Sequence, residues 1–154
     1  MEKHILILYR ICNSLYQKGY KKKTIKWFFS KIIIKFFYAY YSRLLAYFYG
    51  AYLPYTAKIG NNLKLNHSFH GIFISENAVI GNDCTIVQHT TIGSNQPLSG
   101  DAPNIGNNVF IGANCCIVGK TTIGKNTIIG AGVVISNSII PENSKVVGQK
   151  FRIL

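Results

Sequence analysis

The stretch from Ile105 to Ile135 reads IGNNVF IGANCC IVGKTT IGKNTI IGAGVV I and places an isoleucine at every sixth position. The step also occurs upstream, and the ten isoleucines in phase are Ile74, Ile80, Ile86, Ile92, Ile105, Ile111, Ile117, Ile123, Ile129 and Ile135. A period of six fits neither the 3.6-residue repeat of an amphipathic helix nor the simple alternation of a strand. It is typical of a solenoid in which each hexad forms one short strand and a corner.

The other positions of the repeat agree with a triangular coil built from three hexads. Four residues after an isoleucine comes a small or β-branched residue, such as Cys84 or Cys115, which suits a tight inward corner. Glycine and asparagine tolerate the unusual dihedrals of such corners. One coil cannot bury its own apolar side, so the stacking of coils supplies the core. We therefore predict a mainly β solenoid of four to five coils at residues 54–141, ended by Pro141 and followed by a C-terminal tail at 142–154.

The repeat is interrupted twice. Three extra residues separate Leu65 from Ile74, and this first interruption contains His67 and His70. The second interruption is the polar loop 93–104, which is rich in glycine and proline. Loops that protrude from a regular scaffold commonly carry the functional residues. We therefore expect the functional residues in or beside these two segments.

Residues 1–53 form a basic, aromatic segment that the sequence predicts to be α-helical. Up to Lys58 the chain holds eleven lysines and arginines against one acid, a net charge of +10 out of +12 for the whole chain. Helical spacing predicts one helix from residue 4 to about 18 and another from 24 to 49. Such helices can make a peripheral contact with a membrane or pack on their own solenoid or a neighbouring subunit, and composition does not separate the two interpretations. Their charges are too frequent for a membrane-spanning helix.

The composition excludes several classes of function. Only five acids occur, so a pair of catalytic carboxylates is not expected. No RNA- or DNA-binding motif accompanies the basic charge, so we expect no nucleic-acid partner. The four cysteines lack the spacing of metal ligands or of a disulfide framework, and the start of the chain lacks the pattern of a signal peptide. We therefore predict a cytoplasmic protein.

Histidines are the strongest candidates for chemistry. A neutral imidazole is the natural base for taking a proton from a hydroxyl near pH 7. His67 and His70 are favoured because they interrupt the repeat, whereas His89, about one coil later, also fits an ordinary surface position. A zinc site needs three converging imidazoles. The spacing of these three histidines permits such a site without specifying it, so we expect no metal.

Seven segments carry a family resemblance: Leu65-Asn66-His67, Gly71-Ile72-Phe73-Ile74, Thr91-Ile92-Gly93, Ala102-Pro103-Asn104-Ile105-Gly106, Ile111-Gly112-Ala113, Ile129-Gly130-Ala131-Gly132 and Val146-Val147-Gly148. Through them the chain resembles the serine acetyltransferase branch of the hexapeptide acyltransferases, and more closely the relatives that acetylate exopolysaccharides of the colanic acid type. The resemblance implies a left-handed parallel β-helix, a homotrimer, and acetyl-CoA as acyl donor in the groove between two prisms. It implies acetyl-CoA contacts at Ala113, Gly130, Ala131 and Lys150.

The chain departs from the serine acetyltransferase pattern at two places. Asn66-His67 stands where that family has Asp-His, and Asp101-Ala102-Pro103 lacks the arginine and second histidine of its loop. Because the family's arginine holds the carboxylate of serine, its absence argues against serine and favours a sugar hydroxyl. The resemblance then implies His67 as general base, with His70 as the second candidate. Asn66, His89 and Asp101 become candidates for acceptor binding.

The predicted function is an acetyl-CoA-dependent O-acetyltransferase acting on a sugar of a capsular or exopolysaccharide, or on its lipid-linked precursor. A peripheral position at the inner face of the membrane would fit such an acceptor. The alternatives are a serine O-acetyltransferase of cysteine biosynthesis, a non-enzymatic trimeric scaffold and a zinc hydratase.

Overall fold

The computed structural model of the chain describes residues 1–20, 25–96 and 100–148. Two helices come first, α1 (Glu2–Tyr20) and α2 (Ile25–Tyr49). Both predicted helices are observed, and Thr24, the predicted start of the second, lies outside the described residues. No helix in the described ranges is long and apolar enough to cross a membrane.

Within those ranges the rest of the chain forms fourteen short strands. They are β1 (Lys58–Ile59), β2 (Lys64–Phe69), β3 (Phe73–Ile74), β4 (Val79–Ile80), β5 (Thr85–Ile86), β6 (Thr91–Gly93), β7 (Asn104–Ile105), β8 (Phe110–Ile111), β9 (Cys116–Val118), β10 (Thr122–Ile123), β11 (Ile128–Ile129), β12 (Val134–Ser136), β13 (Ile139–Ile140) and β14 (Lys145–Val146). Each of the first four coils contributes one strand to each of three sheets, and β13 and β14 of the last coil extend two of them.

The three sheets are the sides of a triangular prism. Sheet I has the order β1-β4-β7-β10-β13, sheet II the order β2-β5-β8-β11-β14 and sheet III the order β3-β6-β9-β12, and all neighbours are parallel. In sheet I the isoleucines pair from coil to coil, as Ile80 does with Ile105. The predicted parallel β-helix of hexapeptide repeats, with about five turns, is confirmed, and these repeats indicate a left-handed helix.

The residues between sheets I and II explain why asparagine recurs in the sequence. Asn108, Asn126 and Asn143 have φ between 54° and 60°, in the left-handed region that asparagine tolerates better than most residues. The Asn108 amide donates to Asn126 Oδ1 at 3.1 Å, and the Asn126 amide donates to Asn143 Oδ1 at 3.0 Å. The same residues therefore make the turn and connect one coil to the next.

The solenoid continues past Pro141, which the sequence analysis placed at its end. Strand β14 pairs with β11, with Val146 opposite Ile129. Pro141 occupies the position of Gly124 one coil earlier, and the Gly124 N–H donates to the carbonyl of Ile140 at 2.9 Å. Proline has no N–H to donate to a further coil. Pro141 therefore ends the hydrogen bonding between coils at this position, while the chain continues around its own coil.

Helix α1 covers the first coil of the prism. Tyr9 Oη donates to the carbonyl of Ala57 at 2.7 Å, and the Asn13 amide donates to the carbonyls of Tyr55 and Ala57 at 2.7 and 3.0 Å. The Arg10 guanidinium donates to two further carbonyls of this coil. Burial raises the pKa of Tyr9 to about 12, so its phenol remains a donor at neutral pH. The first coil thus finds partners for its carbonyls in α1.

Helix α2 packs beside α1 through buried Ile34, Tyr41 and Leu45, and Tyr41 Oη donates to the carbonyl of Leu53 at 3.1 Å. These contacts extend the core of the solenoid into the helical segment. Of the two interpretations of the basic segment, packing against the chain's own solenoid is therefore observed for this side of α2.

Candidate functional site

The three histidines singled out in the sequence lie at one corner of the prism, where the chain passes from sheet II to sheet III. We call this the histidine corner, and it comprises residues 66–72, 87–90, 112–115 and 130–133 of successive coils. The predicted residues Ala113, Gly130 and Ala131 lie at the same corner. Lys150 lies outside the described residues.

Backbone hydrogen bonds fix which residues of the corner are stacked. The N–H of His89 donates to the carbonyl of His70 at 2.9 Å, and that of Asn114 donates to the carbonyl of Gln88 at 3.0 Å. The N–H of Gly132 donates to the carbonyl of Ala113 at 2.8 Å. His70, Gln88, Ala113 and Ala131 therefore occupy equivalent positions in four coils. In this stacked column the first two coils carry polar side chains, those of His70 and Gln88, and the next two carry the methyl groups of Ala113 and Ala131.

The extra residues of the first interruption lengthen β2 and bend it around the corner. Phe69 is buried and anchors this lengthened segment, while Asn66, His67 and His70 are exposed. Strict alternation would turn His67 inward with Leu65 and Phe69, but Ser68 has φ 57° and breaks the regular strand, so His67 remains exposed. The chain therefore offers both favoured histidines to solvent on a segment that the core holds in place.

Tyr49 at the end of α2 connects the helical segment to this corner. Its ring lies 5.1 Å from the His70 ring at an interplanar angle of 68°, and 6.0 Å from the Phe69 ring. The Tyr49 carbonyl accepts the N–H of Gly71 at 2.9 Å. The sequence analysis did not assign Tyr49 to the site, and its position directly before Gly50 at the end of a helix was the available signal.

The ring of His89 lies against Gly71 of the preceding coil. A Cβ added to Gly71 would lie 2.2 Å from His89 Nδ1, so the absence of a side chain makes room for the imidazole. His89 itself has φ 57°, and Gly71 has φ 63°. The structure therefore brings His89 next to the segment 66–72, which carries His67 and His70.

Gln88 is a second residue that the sequence analysis missed. Its Oε1 is buried and has no hydrogen-bond partner among the described residues. Such an oxygen is uncommon and calls for an explanation. Gln88 stands between His70 and Ala113 in the stacked column, so its oxygen belongs to the histidine corner. A glutamine where the next two coils have alanine was the signal in the sequence.

Small residues shape the corner in the next two coils. Ala113 and Gly130 are half-buried and Ala131 is exposed. A Cβ on Gly112 would lie 2.6 Å from the backbone nitrogen of Ala131, so this glycine lets the two coils approach closely. With about 4.8 Å between coils, this smooth surface begins roughly 10 Å from the His70 position. A long, thin ligand could run along it toward the histidines.

Asp101 lies at a different corner, where the chain passes from sheet III to sheet I. Its carboxylate is 3.8 Å from Lys120 Nζ, and its carbonyl accepts the hydroxyl of Ser94 at 2.6 Å. Within one chain, sheet III separates Asp101 from the histidine corner. In the described part of the chain, no group of three His, Cys, Asp or Glu side chains could hold a metal ion.

Known proteins resemble this chain in its repeat and in its fold. Residues 102–137 match the bacterial transferase hexapeptide family, described as six repeats. WcaB of Escherichia coli K12, named for acetyltransferase activity in colanic acid biosynthesis, is 37% identical over 106 residues, covering 69% of this chain and 64% of its own. The chain carries the repeat of the hexapeptide transferases. It also resembles the serine acetyltransferase of Helicobacter pylori 26695, at 28% identity over 148 residues, 96% of this chain and 77% of that one.

Solved structures of serine acetyltransferases share the fold of this hexapeptide-repeat chain. The Neisseria gonorrhoeae enzyme has a TM-score of 0.73 at 34% identity, covering 95% of this chain and 50% of its own. The Brucella abortus S19 enzyme, determined in complex with coenzyme A, has a TM-score of 0.72 at 25% identity and covers 98% of this chain and 54% of its own. The chain thus spans about two thirds of WcaB and about half of these structures.

Proposed function

We propose that the chain is an acetyl-CoA-dependent O-acetyltransferase whose acceptor is a sugar hydroxyl of a capsular or exopolysaccharide, or of its lipid-linked precursor. The observation that carries this proposal is the composition of the histidine corner. Exposed His67 and His70 in one coil are continued by the small residues Ala113 and Ala131 of later coils. The corner therefore combines a base for a hydroxyl with a surface for a thin thioester arm. Relatives named as acetyltransferases add support.

In the proposed mechanism His67 acts as general base. Its imidazole takes the proton of the acceptor hydroxyl as the oxygen attacks the thioester carbonyl of acetyl-CoA. The tetrahedral intermediate then collapses, the carbon–sulfur bond breaks, and the imidazolium returns the proton to the CoA sulfur. A backbone N–H near loop 93–104 would stabilise the oxyanion. His70 is the second candidate for the base, and Asn66 and His89 would orient the acceptor.

The donor would lie along the small residues of the corner. Ala113, Gly130 and Ala131 would contact the pantetheine arm, and Lys150 would pair with the nucleotide phosphates. Gln88 would meet the reacting end of the arm. Its unpaired Oε1 is buried, so the side chain would have to rotate for this oxygen to accept a hydrogen bond from a bound substrate.

The choice of a sugar over serine rests on loop 93–104. The loop contains neither arginine nor histidine, and Lys120 lies close to its acid Asp101. A serine carboxylate would therefore lack its bidentate cation here, which is the usual means of holding such a group. Relatives named for colanic acid biosynthesis and relatives named as serine acetyltransferases both match the chain. The proposal of a sugar acceptor therefore rests on the lack of arginine and histidine in this loop.

We also propose that the active form is a homotrimer. Sheet III carries a shallow apolar groove of about 220 Å³ lined by Tyr52, Phe73 and Thr91, and Val134 is 72% exposed on the same sheet. A neighbouring prism on this face would bury these side chains. Asp101 and the histidine corner lie at opposite edges of sheet III, so Asp101 of a neighbouring protomer, rather than the chain's own, would contribute to acceptor binding.

The proposed location is the cytoplasm, with peripheral contact at the inner face of the membrane. A lipid-linked acceptor is confined to that surface, so an enzyme held there meets it at a raised effective concentration.

The proposal is tested by measuring free CoA released from acetyl-CoA by the purified chain. Serine, a panel of monosaccharides and a membrane extract containing lipid-linked oligosaccharides serve as acceptors. We expect release that depends on a sugar or on the extract and is unchanged by serine. Release that depends on serine would instead support the serine O-acetyltransferase. Absence of release with every acceptor, the extract included, would support the scaffold.

The contact between Gly71 and His89 gives a prediction for the site. Gly71→Ala should lower kcat/KM for acetyl transfer by roughly 10²-fold, because the new methyl displaces the imidazole by about an ångström or more. Initial rates over a range of acceptor concentrations measure the effect. Gly50→Ala is the matched control, since Gly50 also has positive φ (54°) but a Cβ there meets nothing within 4 Å. Equal activity of the two variants would remove His89 from the site.

A further inference from the structure

A cavity of about 270 Å³ lies between the C-terminal part of α1 and the first two strands of sheet I. Its lining includes Tyr16, Gln17, Thr56, Lys58, Glu76 and Asn77. These residues come from the end of α1, from the segment that enters β1 and from the corner that enters β4. We call this the polar cavity. It shares no lining residue with the groove on sheet III, so it is a separate candidate site.

The helical wall of the polar cavity is fixed to the opposite wall by hydrogen bonds. One turn before Gln17, the Asn13 amide donates to the carbonyls of Tyr55 and Ala57, which flank Thr56 in the chain. These bonds hold α1 against the chain on both sides of Thr56. The cavity is therefore already formed in the free chain, which lowers the entropic cost of binding a ligand there.

The burial of the lining residues indicates what kind of ligand fits. Tyr16, Gln17 and Thr56 are half-buried and uncharged. Lys58 and Glu76 are exposed and carry opposite charges. Exposed charges contribute little because solvent screens them, and here the two charges also cancel. The lining therefore favours neither an anion nor a cation. A neutral ligand that both donates and accepts hydrogen bonds suits its amide and hydroxyl side chains.

Thr56 adds an unsatisfied hydrogen-bonding group to the wall. Its Oγ1 is buried and has no hydrogen-bond partner among the described residues. Such a hydroxyl costs free energy in the free chain. Because Thr56 lines the cavity, a change of its χ1 rotamer would turn the hydroxyl toward a bound ligand. A ligand that carries hydroxyl groups would then supply the missing partner.

A sugar residue meets these requirements. Its hydroxyl groups can bond to the amides of Gln17 and Asn77 and to the hydroxyl of Thr56. Its C–H groups can pack on the Tyr16 side chain. Ligand sites commonly combine such apolar contact with a few polar groups that fix the orientation of the ligand. An amino-acid zwitterion would instead depend on the two exposed charges, which are the weakest binding groups of the lining.

The polar cavity lies at the same corner of the prism as Asp101, one coil earlier. A Cβ on Gly100 would lie 3.7 Å from Asn77 Nδ2, so loop 93–104 reaches the rim of the cavity. Asn77 follows directly on the coil that contains the segment 66–72. In the proposed homotrimer these two corners come from different protomers and face each other at about the same height along the prism.

We propose that the polar cavity binds one sugar residue of an oligosaccharide acceptor. The hydroxyl that is acetylated would belong to an adjacent sugar residue, at the histidine corner of a neighbouring protomer. This inference rests on the proposed function and deepens it, because it makes the acceptor an oligosaccharide and assigns the residues that select it. The cavity is thus a specificity subsite, and it takes no part in the transfer of the acetyl group.

The experiment is saturation-transfer difference NMR on the full chain in the absence of acetyl-CoA. The probes are lactose, cellobiose and the oligosaccharides that mild acid releases from the lipid-linked fraction of a membrane extract. Serine and inorganic phosphate are the comparison ligands. We expect saturation transfer to at least one of the saccharides and none to serine or phosphate. Transfer to none of the saccharides, or to serine or phosphate in their place, would overturn the proposal.

Variants identify the cavity as the place of binding. Gln17→Leu and Thr56→Val should each raise the Kd of the bound saccharide by about three- to tenfold, the usual loss for one hydrogen bond. Thr122→Val is the matched control for Thr56→Val, because Thr122 is exposed on β10 of the same sheet, beyond the cavity. Thermal melts verify that each variant is folded. Unchanged Kd values in both cavity variants, or an equal loss in Thr122→Val, would contradict the assignment.

The outcome is separable from that of the proposed function. In acetyl transfer to an oligosaccharide, the cavity variants should raise KM for the acceptor rather than lower kcat. If saccharide binding depends on Gln17 and Thr56 and no acceptor releases CoA, the sugar site stands and the acetyltransferase proposal fails. If an oligosaccharide drives CoA release and both variants keep the KM of the unchanged chain, the enzyme stands and the subsite fails.

Discussion

His67→Ala is expected to lower the turnover number for sugar-dependent CoA release by about 10²–10⁴-fold, the usual contribution of a general base. The physical reason is that the substituted chain has no imidazole at this position to take the proton of the attacking hydroxyl. His67 is exposed, so its removal should leave the melting temperature almost unchanged. Steady-state kinetics with the sugar that gives the highest rate, together with a thermal melt, measure both effects.

Two further variants decide which histidine is the base. His70→Phe retains a ring to contact Tyr49 and removes both ring nitrogens. His4→Ala is the control for loss of an exposed histidine far from the corner, on α1. A large loss for His70→Phe with a small one for His67→Ala would transfer the role of base to His70. Losses no greater than that of His4→Ala in both variants would contradict histidine catalysis at this corner.

The solenoid could be predicted because its signal is a periodicity along the sequence itself. An isoleucine every six residues specifies the strand, the inward side and the corner at the same time. The structure pairs Ile111 with Ile86 and Ile129 as this periodicity requires. Pro141 misled the prediction because proline removes a hydrogen bond between coils, whereas sequence analysis treats it as a stop along the chain.

The neighbours across coils could not be predicted from spacing alone. Interruptions change the coil length locally, so Leu65 pairs with Ile86 after 21 residues and Ile86 with Ile111 after 25. The stacking of His70 on Gln88, and of Gly71 under the His89 ring, depends on where each extra residue is accommodated. Asp101 was grouped with the histidines by family resemblance, yet within one chain it lies across sheet III from them.

The helical segment shows a different limit of sequence analysis. Aromatic residues occur on all sides of α2, so the sequence offers little contrast between a packed side and an exposed side. Tyr41 is buried while Tyr40, its neighbour, is 54% exposed. Membrane contact and packing on the solenoid or a neighbouring subunit were the alternatives. The structure shows packing on one side of α2 and exposed apolar side chains on the other.

The expected destabilisation is largest in the isoleucine stack, and Ile129 is the most informative position. Ile129 is fully buried and pairs with Ile111 on one side and Val146 on the other. Ile129→Ala should lower the free energy of unfolding by about 2–5 kcal/mol, since it removes three buried carbons and leaves a cavity that the stacked strands cannot fill. Urea denaturation monitored by circular dichroism gives the difference.

Ile128 provides the matched control, because it precedes Ile129 in the same strand and is 46% exposed. Ile128→Ala is chemically the same substitution, but much of its side chain is already in water, so its cost should stay below about 1 kcal/mol. Successive side chains of a strand point to opposite faces, so a slip of one residue would exchange the two results. A larger loss at Ile128 than at Ile129 would therefore contradict the register of sheet II and the position of every residue at the histidine corner.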